Sequence, residues 1–308
     1  MSIAAVGACY VDTILTTSHY PQEDEKLRAS TLSRRRGGNC PNTLEVLQQL
    51  IPPTSSEEEP LLNLIAVLPA RSSVASQKIV DELKPQVQLT HCIYREQLEE
   101  PASSYIIKSQ STGSRTIVNY NELPEMTVGE FSRIADDLEP RVKWFHFEGR
   151  IPEVTLGCIQ YIRSKCPSTL VSVEVEKPGR PGLQELAQAA DVVFYSKTWA
   201  SLLCCTWGQD GAAAFKPSTD QFVHSKPETT EDFIVVEYVN CQAQGNSLLI
   251  SYSSVGAGDT FIAGMLYALN LQHKKWDLPT QLQFANKLAA TKVSQEGFSG
   301  LGRVLVPT

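Results

Sequence analysis

Short apolar runs alternate with helical patterns along most of the chain. The first run, SIAAVGAC at 2–9, predicts a buried strand, and PNTLEVLQQL at 41–50 predicts a helix with a proline in its first turn. Further predicted strands lie at 61–68, 87–94, 142–147, 169–176, 191–196 and 201–206, with predicted helices at 72–83, 127–138, 153–164, 183–190, 257–271 and 281–291. This alternation is typical of a mostly parallel sheet covered by helices on both faces, so we predict an α/β fold with three layers, α/β/α.

Two stretches depart from that rhythm. SSYIIKS (103–109) and RTIVNYN (115–121) alternate polar and apolar residues around the turn STGS, which predicts a half-exposed hairpin. The polar segment 13–36 is partly strand-like. Together they predict a small sheet set against the main one, with strands from about 13–36 and 101–121. Nothing marks a linker, so we expect one domain spanning 1–308.

Composition excludes several classes of protein. The chain has 308 residues, 42% of them hydrophobic, and a formal net charge of −7, which argues against disorder, nucleic-acid binding and a basic membrane surface. No apolar run approaches the roughly 20 residues that span a bilayer, and the N-terminus does not resemble a signal peptide. The eight cysteines lack CxxC spacing, so we expect a reducing, cytoplasmic setting without disulfides or structural zinc.

The strongest chemical signal is GAGDTF at 256–261, followed by an apolar helical pattern. Glycines at a helix entry let the backbone approach an anion, and the free N–H groups of the first turn stabilise its charge. An Asp in that turn can also simply cap the helix. A second signal, RGGNCPN at 36–42, opens another helix, and its amides suit sugar hydroxyls, although a turn with an Asn cap explains it equally well. Asp12 follows the first predicted strand, at the edge where ligands bind in open α/β sheets.

In combination, these signals resemble the ribokinase-like (PfkB-type) carbohydrate kinases. The resemblance spans nearly the whole chain and rests on YVD at 10–12, YPQED at 20–24, GGNCPN at 37–42, RTIV at 115–118, FEGR at 147–150, VEVEKP at 173–178 and GAGDTF at 256–261. GGN and GAGD are shared across the family, whereas VEVEKP and FEGR are similar to its ketohexose-phosphorylating branch. The resemblance implies a ribokinase-like sandwich with a β lid, and transfer of the γ-phosphoryl group of ATP to a sugar hydroxyl, with fructose and its 1-hydroxyl as the leading acceptor.

The resemblance also implies roles for individual residues. Asp259 would be the general base, and the N–H groups of Gly256, Ala257 and Gly258 would face the transferred phosphoryl group. The sugar would be held by Asp12, Gly38, Asn39 and Asn42. The nucleotide would contact Arg115, Gly208, Gln209, Asp210, Gly211 and Asn286. Mg²⁺ would shield the phosphates, a monovalent cation is a further candidate, and the lid sheet would pair two subunits in a homodimer.

Glu174 and Glu176 lie two apart on a predicted strand and therefore share a face. Either they bond the waters around Mg²⁺ and the phosphates, or they form a solvated strand end beside Lys177. His146 alternates within VKWFHF and is predicted to be a packed core histidine rather than a catalytic one. No Walker-type phosphate loop is present.

Two departures from the family bear on activity. Only residues 197–200 separate the predicted strands 191–196 and 201–206, although a parallel crossover needs about a dozen residues, so either the strands are rearranged or a crossover helix is missing. Residues 238–253 are inserted before the GAGD turn. They raise the alternative of a catalytically impaired sugar- or nucleotide-binding relative, and predict a weakly active, poorly soluble chain. Ribokinase or nucleoside-kinase specificity is the third alternative.

Overall fold

The computed structural model describes residues 2–51, 61–83, 85–139, 141–175, 179–195, 205–206, 212–216, 221–225, 256–272 and 275–303. The strands are β1 (Ser2–Val6), β2 (Tyr10–Thr17), β3 (Thr31–Gly37), β4 (Leu61–Ile65), β5 (Val67–Pro69), β6 (Val87–Gln88), β7 (Ile93–Arg95), β8 (Ser103–Ser109), β9 (Arg115–Tyr120), β10 (Trp144–Glu148), β11 (Leu170–Val175), β12 (Val192–Tyr195), β13 (Cys205–Thr206), β14 (Ala212–Lys216) and β15 (Gln221–Ser225). The helices are α1 (Asn39–Leu50), α2 (Val74–Leu83), α3 (Val128–Leu138), α4 (Pro152–Lys165), α5 (Leu183–Ala189), α6 (Ala257–Leu271) and α7 (Leu278–Val293), followed by a 3₁₀ turn, Leu301–Arg303.

The main sheet runs in the order β15-β14-β13-β12-β11-β10-β1-β4-β6. Strands from β13 to β6 are parallel, and β14 and β15 are antiparallel additions at one edge. Helices cover both faces because successive residues of a strand point to opposite sides. In β1, Ile3 and Ala5 pack with α1, α6 and α7, whereas Ala4 and Val6 pack with α3, α4 and α5. The predicted three-layer α/β/α architecture is confirmed.

A second sheet has the order β3-β2-β8-β9, and the predicted hairpin forms its β8–β9 half. Its two faces differ in character. On the face that carries Asp12 and Ile106, these two side chains are largely inaccessible to solvent, whereas Arg115 and Ile117 at its β9 edge are exposed. The opposite face carries exposed apolar side chains, among them Leu32, Tyr105 and Val118. The register places Leu32 opposite Leu15, and Tyr105 opposite Val118.

Several predicted boundaries are wrong. The first strand ends at Val6, so Asp12 lies inside β2 rather than just past β1. The single strand predicted at 87–94 is two short strands, β6 and β7, which join different sheets. β14 and β15 were not predicted at all, because their sequences show no clear alternation.

After β12, the next described strand of the main sheet is β13. β12 and β13 remain parallel neighbours, paired at Tyr195 and Cys205. Of the strand predicted at 201–206, the described part is Cys205–Thr206. Residues 196–204 and the insertion 238–253 lie outside the described residues.

Candidate active site

The site forms where the N-terminal ends of α1 and α6 meet. Asn42, in the first turn of α1, donates from Nδ2 to Oδ2 of Asp259 over 2.7 Å. The next residue, Thr43, donates from its hydroxyl to the backbone oxygen of Asp259 over 3.3 Å. These two contacts join positions 217 and 216 residues apart along the chain. They bring the two glycine-containing motifs of the sequence into one site.

Two glycines shape the helix entries. Gly38 precedes α1 with φ of 102°, and a Cβ there would lie 2.2 Å from the backbone oxygen of Ala8. Gly256 precedes α6 in the left-handed region with φ of 85°, and the Phe298 ring lies where its Cβ would be. Both conformations disfavour residues with a Cβ. Each glycine therefore allows a sharp turn that presents a helix N-terminus.

Asp259 lies in the first turn of α6 and is only 7% exposed. The free N–H groups at a helix N-terminus and the helix dipole stabilise negative charge there. The Thr260 hydroxyl donates to the backbone oxygen of Gly256 over 2.8 Å, which tightens the same turn. Asp259 is thus a buried carboxylate held at the positive end of a helix, a position suited to a base beside an anionic group.

Asp12 approaches the end of α1 from the small sheet. It pairs in register with Arg35 of β3 and Ser104 of β8, and Nε of Arg35 lies 3.6 Å from its Oδ2. Burial raises the pKa of the Asp12 carboxyl, while Arg35 opposes that rise. A desolvated carboxylate of this kind is a strong hydrogen-bond acceptor for a hydroxyl.

Two further carboxylates lie at the neighbouring strand ends of the main sheet. Glu148 of β10 and Glu174 of β11 are register partners, so both lie at the carboxyl edge of the sheet. The backbone N–H of Ala8 donates to Glu148 over 2.8 Å, and Nδ2 of Asn39 donates to Glu174 over 3.0 Å. Glu174 is buried, so the alternative of a solvated strand end is wrong for this residue. Glu176 lies outside the described residues.

A buried lysine stands behind the α6 entry. Lys292 of α7 is completely buried, and its ammonium donates to the backbone oxygen of Gln295 over 3.2 Å. The ammonium also lies 5.2 Å from the centre of the Phe298 ring, the ring that packs on Gly256. Burial, together with the nearby charge of Arg35, lowers the pKa of Lys292 to about 8, and the charge of Asp259 opposes that shift.

The sequence-predicted residues differ in how close they lie to this site. Asp12, Gly38, Asn39, Asn42, Glu174, Gly256, Ala257, Gly258 and Asp259 lie at the meeting helix ends or the strand ends beside them. Arg115 is exposed at the start of β9 and shares a face of the small sheet with Asp12, about 13 Å along the strands. Asn286 lies on α7, and its Nδ2 is buried without a protein partner among the described residues. Gly208, Gln209, Asp210 and Gly211 lie outside those residues.

Sequence reasoning missed Arg36 and Lys292. Arg36 opens the RGGN motif, yet its side chain is only 2% exposed and contacts Asn42. An arginine just before a predicted glycine turn suggests a solvated charge, so its burial has no local signal. Lys292 follows a helical pattern in which lysine is ordinary. His146, by contrast, is a completely buried core residue bonded to Ser172 at 2.9 Å, and the prediction for it is confirmed.

Among the side chains that the structure describes, no group of three or more His, Cys, Asp or Glu could hold a metal ion. The cysteines at 9, 40, 92, 158 and 166 are unpaired. No helix in the described segments has the length and apolar character needed to cross a membrane.

Known carbohydrate kinases are similar to this chain in sequence. Residues 250–301, which include all of α6 and α7, match the pfkB family carbohydrate kinase model. The chain is 29% identical to mouse ketohexokinase over 328 aligned positions, covering 97% of this chain and 98% of that protein.

Solved structures share the fold at lower identity. The Methanocaldococcus jannaschii nucleoside kinase, an archaeal member of the ribokinase family, is 17% identical with a TM-score of 0.66, covering 98% of this chain and 96% of that one. Arabidopsis thaliana ribokinase, solved with ribose and ATP, is 16% identical with a TM-score of 0.67, covering 96% and 93%. A Pyrococcus horikoshii sugar kinase solved with ATP is 18% identical with a TM-score of 0.66, covering 98% and 100%.

The fold is that of the ribokinase-like structures. Over residues 250–301 the chain matches the pfkB family carbohydrate kinase model, and over nearly its whole length it is similar to a ketohexokinase. The resemblance to these kinases seen in the sequence is confirmed.

Proposed function

We propose that the chain transfers the γ-phosphoryl group of ATP to a hydroxyl of a ketohexose such as fructose, giving fructose 1-phosphate. One observation carries the proposal: Asp259 is buried at the N-terminus of α6 and bonded to Asn42 at the N-terminus of α1. A base and an anion-stabilising helix end are therefore adjacent to the amides proposed for the sugar. Likeness to mouse ketohexokinase over nearly the whole chain favours a ketohexose.

The proposed chemistry needs only positioning and charge. Asp259 accepts the proton of the attacking sugar hydroxyl as that oxygen bonds to the γ-phosphorus of ATP, and ADP leaves with the electrons of the broken P–O bond. The backbone N–H groups of Gly256, Ala257 and Gly258 donate to the charge that builds on the transferred phosphoryl group. Such donors interact more strongly where little water competes, and Ala257 and Asp259 beside them are buried.

The sugar is assigned to Asp12, Gly38, Asn39 and Asn42. Asn39 uses Nδ2 on Glu174, and Asn42 uses Nδ2 on Asp259, so both amides are held in fixed orientations by buried carboxylates. Asp12 comes from the small sheet, and its side chain is buried there. We propose that this sheet is the lid of a single domain, 1–308, and that it places Asp12 over the sugar when it closes.

The nucleotide is assigned to Arg115, Asn286 and the segment 208–211. The Nδ2 of Asn286 is buried and has no partner among the described residues, which supports a ligand on α7, because a buried amide donor without a partner is unfavourable. The two likenesses to structures solved with ATP support nucleotide use. Mg²⁺ would enter bound to the phosphates and keep several waters, as it does where a protein supplies few ligands, with Glu174 as a partner for one of those waters. A monovalent cation remains a further candidate.

Pairing of two chains through the small sheet is also proposed. Its outer face is apolar and exposed, with Leu32 at 59%, Tyr105 at 52% and Val118 at 62%. Exposed apolar patches of this kind mark association surfaces. A second copy of the chain would cover them in a homodimer. We expect the dimer in the cytoplasm, without a nucleic-acid or membrane partner.

A coupled ADP-release assay with Mg·ATP tests the proposal across fructose, ribose, glucose and a nucleoside. We expect the largest kcat/KM for fructose and a 1-phosphate product. Preference for ribose or a nucleoside would support the second specificity, which the ribokinase and nucleoside-kinase likenesses favour. Sugar binding by calorimetry without ADP release would support a catalytically impaired relative.

A further inference from the structure

A chain of hydrogen bonds leads from a buried arginine to the proposed base. Nη1 of Arg36 donates to Oδ1 of Asn42 over 3.0 Å, and Nδ2 of Asn42 donates to Oδ2 of Asp259 over 2.7 Å. All three residues are at least 93% buried. No role had been assigned to Arg36 by the sequence, and the geometry gives it one.

The chain has a direction, because an amide has two different ends. The Asn42 carbonyl oxygen can only accept and its nitrogen can only donate. The Arg36 guanidinium stays protonated in a protein and can only donate, so it always bonds to the carbonyl oxygen of Asn42. The amide is thereby locked with its NH₂ group towards Asp259. A flipped amide would set its oxygen against the carboxylate oxygen, which is repulsive.

Arg36 is itself held from two sides. Its Nη2 forms an ion pair with Glu45 of α1. Its backbone N–H donates to Glu82 of α2 over 3.2 Å. The ion pair with Glu45 and the hydrogen bond to Asn42 therefore hold the guanidinium, while Glu82 holds the backbone of the same residue.

We propose that Arg36 is a positioning residue that orients the Asp259 carboxylate through the Asn42 side chain. This inference rests on the proposed role of Asp259 as the base. Arg36 touches neither sugar nor nucleotide in this scheme. It fixes one oxygen of Asp259 so that the carboxylate plane is set before the sugar hydroxyl binds.

The kinetic test compares Arg36→Lys and Arg36→Met with the matched control Glu45→Gln. Lysine keeps a positive charge for Glu45 but lacks the fork that reaches both partners. We expect kcat to fall on the order of 10-fold or more in both Arg36 variants, with little change in the KM for ATP. Glutamine at position 45 still offers a side-chain oxygen to Nη2 of Arg36, so Glu45→Gln keeps the guanidinium and its bond to Asn42 in place and should leave kcat within about twofold of the parent.

A double-mutant cycle separates the relay from a general effect on stability. If Arg36 acts through Asn42, Arg36→Met should reduce kcat little further in an Asn42→Ala background. Additive losses would overturn the proposal. So would a loss in Glu45→Gln equal to that in Arg36→Met, because the ion pair alone would then explain the effect.

A measurement that needs no activity distinguishes this inference from the proposed function. The side-chain NH₂ group of Asn42 can be followed by NMR after selective labelling of asparagine with ¹⁵N. Its two signals should move, and their exchange with water should accelerate, in Arg36→Lys but not in Glu45→Gln. Unchanged signals in Arg36→Lys would overturn the relay. If the parent releases no ADP with any sugar, the proposed function fails, while these signals still decide whether Arg36 orients Asn42.

Discussion

Replacing Gly256 with alanine tests whether the α6 entry depends on a missing side chain. Gly256 has φ of 85°, where an L-residue costs about 1–2 kcal/mol. Its Cβ would lie 2.4 and 2.6 Å from two carbons of the Phe298 ring. Phe298 is only 3% exposed, so the ring cannot swing into solvent and the core must shift, at a further cost of about 1–3 kcal/mol.

Gly256→Ala should therefore lower the free energy of unfolding by roughly 2–5 kcal/mol. Gly258 provides a matched control two residues further on. Its φ is not positive, and a Cβ there would meet no atom within 4 Å. Alanine also has a better helix propensity than glycine by about 1 kcal/mol, so Gly258→Ala should leave the fold intact or slightly stabilise it.

Urea denaturation followed by circular dichroism measures both variants, and ADP release measures their activity. We expect Gly256→Ala to lose stability and activity together. We expect Gly258→Ala to keep stability and lose activity, because its new methyl group would enter the space proposed for the phosphoryl group. Equal unfolding midpoints for the two variants would refute the argument about the α6 entry. Full activity in Gly258→Ala would refute the placement of the phosphoryl group.

Four other predictions follow from individual side chains. Asp259→Asn should reduce kcat about 10²–10⁴-fold in the ADP-release assay while altering sugar binding much less, and equal turnover would exclude it as the base. Burial lowers the pKa of His146 to about 3, below its unfolded value of 6.5, so stability should fall by up to about 5 kcal/mol as the pH drops from 6.5 to 3; His146→Gln should lack that part of the fall in urea titrations. Burial lowers the pKa of Lys292 from 10.5 in the unfolded chain to about 8 in the folded one. The unfolded state therefore binds more protons between these pH values, so the free energy of unfolding of the parent should rise by about 3 kcal/mol from pH 8 to 10.5. Lys292→Met should lack this rise in urea denaturation at each pH. Val118→Asp should shift a dimer towards monomer in light scattering, with stability nearly unchanged, because the side chain is exposed.

Sequence patterns predicted the regular parts of the fold well. Helices and parallel strands have strong periods, and the main-sheet strands between 144 and 195 lie within one or two residues of their predicted limits. The small sheet was also foreseen in its β8–β9 hairpin, where alternation surrounds a glycine turn. The sequence does not predict the antiparallel edge strands β14 and β15, since short strands without alternating polar and apolar residues resemble loops.

The site was only partly predictable. Motifs identified Asp259 and Asn42 separately, but their direct hydrogen bond depends on how α1 packs against α6, which no local pattern states. The burial of Arg36 depends on contacts from Glu45 and Glu82, which come from two different helices. Charged residues are usually exposed, so local reasoning assigns a buried arginine to the surface.

Buried charge balance explains why this helix junction tolerates so many carboxylates. Burial raises the pKa of the Cys40 thiol well above its ordinary value, and the nearby charges of Glu148, Glu174 and Asp259 raise it further. Unpaired, such charges would destabilise the fold. The N-terminus of α6 and the chain from Arg36 through Asn42 stabilise Asp259, and Asn39 and the Ala8 N–H bond the two glutamates. Because every one of these donors comes from a helix end or strand end, the fold that forms the core also fixes the charges that a phosphoryl transfer would use.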